Sequence, residues 1–135
     1  MNARNPKIIL DIYDYIPSYG ENSVSSVFTD SSLIIDVLYD SPTSDNEERL
    51  TLDFSNTCFF SLSSFPGVKL TDIEYESFEN LGSLVEYEDS SAAQKWSNQL
   101  PFYGKIRHFI IYFLSENKCL EVFAAEFKLD SQGTR

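Results

Sequence analysis

His108 is the one imidazole in the chain, so any scheme that activates a serine or cysteine with a histidine base must run through it. It stands between Arg107 and Phe109 in an aromatic and β-branched run, where an imidazole reads as a core or half-exposed strand residue. No GxSxG, P-loop, GxGxxG or HExxH spacing accompanies it. Zinc lacks its ligands too. Cys58 and Cys119 lie far apart without CxxC spacing, and one histidine cannot complete a tetrahedral set. The two cysteines read instead as buried thiols of a reducing cytoplasm. The sequence thus names no catalytic residue, no metal and no cofactor.

Carboxylates are plentiful. Asp11 with Asp14, Asp36 with Asp53, and Glu74 with Glu76 can each be drawn as an acid/base pair. Carboxylate-dependent hydrolysis needs two such groups in different environments, and the sequence shows no such contrast. The stretch holding Asp40, Asp45, Asn46, Glu47 and Glu48 is rich in oxygen, but it lacks the order and central glycine of a calcium loop and reads as a solvated hairpin connection. A second acidic region is more suggestive. Asp72, Glu74, Glu76, Glu79, Glu86, Glu88 and Asp89 alternate with the rings of Tyr75, Phe78 and Tyr87. In strands, Glu74 and Glu76 share one face, as do Glu86 and Glu88. Such a patch would speed encounter with a lysine- and arginine-rich protein, and its rings would anchor the complex. These ten residues are the candidate partner-binding set. The plainer reading is the wet side of an edge strand.

The elements that position these groups read as mostly strands. Lys7 to Ile16 forms a first strand, followed by a turn at Pro17 to Gly20; Val24, Val27 and Phe28 mark a short second one. Ser32 to Tyr39 and Arg49 to Phe54 pair antiparallel, because the connection between them is too short for a helical crossover. Cys58 to Leu62 follows after a bulge or corner at Ser55-Asn56-Thr57. Pro66-Gly67 is a turn, and Val68, Leu70, Ile73 and Tyr75 fit short strands. Leu84 to Glu88 is a further strand, with Val85 and Tyr87 on one face. One helix runs from Ser90 to Gln99: Asp89, Ser90 or Ser91 can cap it, Ser91 and Gln94 have capping-box spacing, and Pro101 stops it. The 25 residues from Lys105 to Leu129, near the C-terminus, form a β-hairpin. Its expected register places Leu114 opposite Cys119, Ile110 opposite Phe123, Ile111 opposite Val122 and Arg107 opposite Glu126. Its first strand is apolar on both faces and belongs in the middle of the fold. The fold class is mainly β (α+β): a curved or barrel-like antiparallel sheet with one short helix packed on it, in one domain spanning residues 1–135.

The net charge of −11 is uneven. Residues 1–39 carry two basic and five acidic groups, a net −3; residues 40–89 carry two and twelve, a net −10; residues 90–135 sum to +2. This field repels nucleic acid and anionic lipid and attracts basic proteins. No apolar run approaches a membrane helix, and MNARNPKIILDIYDY lacks the long apolar region and cleavage site of a signal peptide.

The segments LVEYEDSSAAQKWSN and IRHFIIYFLSENKCLEVFAAEFKL together resemble the C-terminal part of small acidic bacterial proteins, some of them similar to immunity proteins paired with secreted or contact-delivered toxins. The likeness lies in a short tryptophan-bearing helix followed by a closing hairpin with an aromatic first strand. It covers about a third of the chain and carries over no active-site residue. What it implies is a cytoplasmic, non-enzymatic protein that binds a toxin directly, and the acidity of the chain fits a basic one. The expected function is therefore that of a non-catalytic binder of a basic protein. A small-molecule carrier with an apolar pocket in the curved sheet and a carboxylate hydrolase stand as the alternatives.

Overall fold

Two long strands carry the molecule, β4 (Glu47–Ser64) and β8 (Lys118–Thr134), paired antiparallel along nearly their whole length. The computed structural model describes residues 2–64, 72–73 and 82–134, with side chains for 3–64 and 82–130. The long ladder bends where its register shifts between Thr57 and Phe59. Asn56 makes the kink with a left-handed φ of 50°, a conformation asparagine tolerates better than most residues. Thr57 then satisfies the displaced backbone: its N–H donates to the Ser31 carbonyl at 2.8 Å and its hydroxyl to the Phe54 carbonyl at 2.9 Å. The polar break expected at Ser55-Asn56-Thr57 is thus a bulge inside one strand.

Around this pair lie β1 (Asn2–Asp11), β2 (Ser23–Thr29), β3 (Ser32–Asp40), the two-residue β5 (Asp72–Ile73), β6 (Ser83–Ser90), β7 (Arg107–Phe113) and the helix α1 (Ser91–Gln99). The sheet order is β2-β3-β4-β8-β7-β6-β1-β5, antiparallel throughout except between β1 and β5. Seven strands therefore form an antiparallel sheet that curls but does not close, as the mainly β reading anticipated. The inner face is a continuous core of Leu33, Ile35, Val37, Leu50, Leu52, Phe54, Phe109, Ile111, Phe113, Leu120 and Val122. Each of these strands contributes every second residue, which is the pleat written into the sequence. Phe54, Phe109 and Phe127 meet there as a tilted trio, with centroids 5.1 to 6.0 Å apart. Among the described residues no helix is long and apolar enough to cross a membrane.

The β7–β8 hairpin is present, and β7 is central and buried on both faces. Its register differs from the expected one by two residues: Phe113 faces Lys118, Ile110 faces Glu121, His108 faces Phe123 and Arg107 faces Ala124. The turn spans Leu114 to Asn117. Asn117 is left-handed (φ 56°) and donates to the Leu114 carbonyl, and the Glu21 carboxylate takes the Glu116 N–H at 3.0 Å. A shift of two changes every partner yet keeps every side chain on its face, because the pleat repeats every two residues. Arg107 therefore stands opposite Ala124, and the expected cross-strand pair with Glu126 does not form.

Two more expectations are adjusted. The first strand ends at Asp11, whose carboxylate caps a 3₁₀ turn at Ile12–Asp14 by accepting the Tyr13 N–H at 3.0 Å. Ile12 and Ile16 then drop into the core instead of continuing the sheet. The helix is capped by Ser90, whose hydroxyl accepts the Ala93 N–H at 3.2 Å, so the Ser91–Gln94 box is not the cap used. At nine residues α1 is too short to persist alone. It rests Ala92 and Ala93 against Ile106 and Phe123, with Trp96 and Tyr103 alongside, and it ends before Pro101. The expected turn at Pro66-Gly67 and the strands through Val68, Leu70 and Tyr75 lie outside the described residues.

Gly20 joins the β1–β2 connection to the hairpin turn. It has φ +91°, and a Cβ built there would fall on Ser115 Oγ. Gly20→Ala should lower stability by about 1–3 kcal/mol in urea unfolding. In a Ser115→Gly background only part of that loss should return, because the left-handed backbone remains.

Candidate functional site

Of the ten sequence-derived binding residues, Glu74, Tyr75, Glu76, Phe78 and Glu79 lie outside the described residues, and Asp72 is placed by its backbone only. The other four come together. β6 and β7 pair only through Val85 to Tyr87 and then diverge, with α1 crossing above the gap. The result is a groove of about 380 Å³ lined by Glu86, Tyr87, Glu88, Asp89, Ser90, Ala93, Gln94, Ser97, Lys105, Ile106 and Arg107. Its lining is charged and polar, unlike the apolar pocket of a hydrophobic-ligand carrier.

The groove is electrically balanced. Glu86 is buried and receives two hydrogen bonds from Arg107, 3.0 Å from Nε and 2.7 Å from Nη2. These bonds hold the Glu86 carboxyl below its usual range against the opposing pull of burial, and the charges of Arg107, Lys7 and Lys105 act in the same direction. Arg107 also lies 4.8 Å above the Phe109 ring. Along the β1–β6 ladder Lys7 faces Glu86 and Arg4 faces Asp89, while Lys7 Nζ comes within 4.0 Å of Glu88. Tyr87, expected to be an exposed ring, packs instead with Val85, Ile110 and Tyr112. Only Glu88 and Asp89 of the four stand exposed at the rim.

Behind the groove lies an arrangement that the sequence did not announce. His108 has no exposed surface; its Nε2 is 2.7 Å from Glu121 Oε2 and its Nδ1 is 2.9 Å from Ser90 Oγ. The ring stacks on Phe123 at 4.3 Å. One hydrogen-bond order satisfies every donor. Nε2–H donates to Glu121, the Ser90 hydroxyl donates to Nδ1, and the Ala93 N–H donates to Ser90 Oγ. Serine, histidine and carboxylate here have the composition of an acyl-transfer triad, with the two ring nitrogens exchanged. The serine oxygen is already engaged in capping α1, so the geometry joins helix to sheet. The misplaced register hid this contact. With His108 facing Phe123, Glu121 is its diagonal neighbour on the same face.

Uncompensated charge gathers elsewhere, at the corner where β3 turns into β4. Asp40 Oδ1 and Glu47 Oε2 converge on the Asn22 amide nitrogen at 2.7 and 3.1 Å, and Asp45 stands exposed between them in the chain. The Tyr19 hydroxyl donates to the Asp40 carbonyl at 2.6 Å and leaves its ring 57% exposed. Among the described residues no lysine or arginine pairs with Asp40, Asp45 or Glu47, whereas Asp36, on the same face of β3, is paired with Arg49 at 3.5 Å. Burial pushes the Cys58 thiol up to about 11, and its Sγ donates to the Phe123 carbonyl at 3.4 Å.

No protein-family model, curated protein or solved structure matches the chain.

Two measurements test the buried contacts. His108→Leu removes the imidazole from a buried carboxylate and should cost about 3–5 kcal/mol in urea unfolding, and Ser90→Ala about 1–2 kcal/mol, with faster amide exchange in α1. For Glu86 the folded value is the lowered one, so the pair stabilises the protein above the ordinary carboxylate range and the gain is lost as pH falls through the folded value. Arg107→Met should thus cost about 1–3 kcal/mol at neutral pH, and the gap from wild type should close in acid.

Proposed function

We propose that the chain is a non-catalytic binding protein for a basic protein partner. The observation that carries this reading is the corner formed by Asp40, Asp45 and Glu47, three carboxylates without a cationic neighbour among the described residues, set beside the exposed Tyr19 ring. A partner's lysines or arginines supply the charge that the fold withholds, and the ring gives them an apolar surface to cover. The excess of −11 extends the attraction beyond contact range. The groove at Glu86 to Asp89 is a weaker claimant, since each of its carboxylates already has a basic group close by.

The resemblance of the C-terminal third to immunity-type proteins points the same way, and on that reading the partner is a basic toxin met in the cytoplasm. The test is a binding titration against a panel of small cationic proteins, with anionic proteins of equal size as controls. At least one cationic protein should bind at micromolar Kd or tighter, and its affinity should fall at least tenfold between 50 and 300 mM salt. Asp45→Ser with Glu47→Ser should weaken it further, while Glu88→Ser with Asp89→Ser should change it less. If cationic and anionic proteins bind alike, or salt and the corner substitutions leave affinity unchanged, the proposal fails.

A further inference from the structure

The two margins of the sheet are treated very differently by the sequence. β1, near one margin, carries Arg4, Pro6 and Lys7, a left-handed Asn5 (φ 55°) and an irregularity between Ile8 and Leu10. Charges, proline and bulges are the devices by which proteins keep a strand edge from pairing with another chain. β2, at the opposite margin, reads SVSSVFT, with no charge and no proline in seven residues. Val27 is 57% and Phe28 50% exposed, and the Phe28 ring leans on Phe60 at 5.6 Å.

The backbone of this edge can be assigned residue by residue. Asp30 and Ser31 are both left-handed (φ 51° and 64°) and make a two-residue turn closed by the pair Thr29 and Ser32. In such a hairpin the closing pair is hydrogen-bonded and the pairs then alternate, so Thr29, Val27, Ser25 and Ser23 bond inward to β3. Val24, Ser26 and Phe28 turn their N–H and carbonyl groups outward. Lys118 confirms the phase, because its Nζ donates to the Val24 carbonyl at 3.1 Å. That ammonium guards one outward residue. Among the described residues nothing bonds the outward groups of Ser26 and Phe28.

We propose that the outer edge of β2 takes up an extended strand of the basic partner, adding a ninth strand to the sheet. The inference rests on the reading of the chain as a binder of a basic protein and names where and how that partner is held. Charge selects the occupant. Asp30 stands at the turn end of β2, and Asp40, Asp45 and Glu47 gather by Asn22 at the other end. A strand of about seven residues spans the ~20 Å between them. Basic residues near its ends meet these carboxylates, and apolar ones in its middle lie along Val27 and Phe28. A second copy of this chain fits badly, since pairing β2 with β2 in either direction sets acid against acid. Main-chain bonds supply the affinity and the flanking charges the selection.

The probe is the nonapeptide Lys-Lys-Val-Thr-Val-Thr-Val-Lys-Lys, titrated against the full chain alongside two versions N-methylated at alternate residues in opposite phases. Methylation preserves charge and deletes one edge of donors. The peptide should bind, and the phase whose methyl groups face β2 should lose at least tenfold. Ser26→Pro, which removes an outward donor and no bond to β3, should lose as much. On binding, the Ser26 and Phe28 amides should slow in hydrogen exchange, whereas Ser25 and Val27 are slow from the start. Salt-sensitive binding with all three peptides equal and those two amides unchanged would overturn the edge and leave the basic-partner reading standing. Absence of binding by the peptide and by every cationic protein would sink both. Sedimentation showing a wild-type dimer that Ser26→Pro dissolves would replace the basic strand with a second copy and overturn the proposal. Should the proline variant fail to fold, the methylated peptides decide alone.

Discussion

The fold depends on the pairing of β4 with β8. Strands of 18 and 17 residues exceed what one flat sheet can bury, so the ladder must bend, and it bends at the bulge between Thr57 and Phe59, beside the left-handed Asn56. Before the bulge β4 holds β3 on its free side; beyond it no strand among the described residues pairs with that side, while β8 goes on to hold β7. The two halves of the sheet therefore turn towards one another across a single core. The hairpin turn at Leu114–Asn117 ties them at one end through Glu21 and Lys118. Without full closure β2 is left as a margin. A surface for recognition is in this sense a by-product of the curvature that builds the core.

Charge in this protein obeys the ladder more than the chain. By sequence position the middle third holds nearly all the excess, yet its β6 carboxylates are answered by the basic start of β1 and by Arg107 from β7. Arg107 and Glu86 form a bidentate, partly buried pair, which is costly to break and of small net benefit to have. Among the carboxylates that stay unanswered are those at the turn between β3 and β4, where the nearby Arg49 of β4 is already paired with Asp36. Pairing moves the electrostatic centre from one part of the acidic third to another.

The Ser90–His108–Glu121 series shows how a short helix is held. α1 buries little apolar surface beyond Ala92, Ala93 and part of Trp96. A chain of satisfied hydrogen bonds running from its cap through an imidazole to a carboxylate on β8 adds the missing specificity of position. The same three residue types would suggest hydrolysis if read as a list. Their order and burial give them a structural task.

Local pattern alone determined a good deal. The alternation in Ser32 to Tyr39 and Arg49 to Phe54, the two-faced apolarity of β7, the helix ended by Pro101 and the corner at Asn56 are all readable because pleat, helical period and breaker residues act within a few positions. The binding set was legible only as composition. Glu86, Tyr87, Glu88 and Asp89 do meet at one groove, but nothing local says that Tyr87 faces inward or that Arg107 has claimed Glu86. Hairpin register, the His108–Glu121 contact, the identity of the unpaired carboxylates and the openness of β2 were decided by tertiary structure. Each depends on which strands become neighbours, and a two-residue slip keeps the faces while exchanging every partner. Periodicity fixes which way a side chain points; only assembly fixes what it meets.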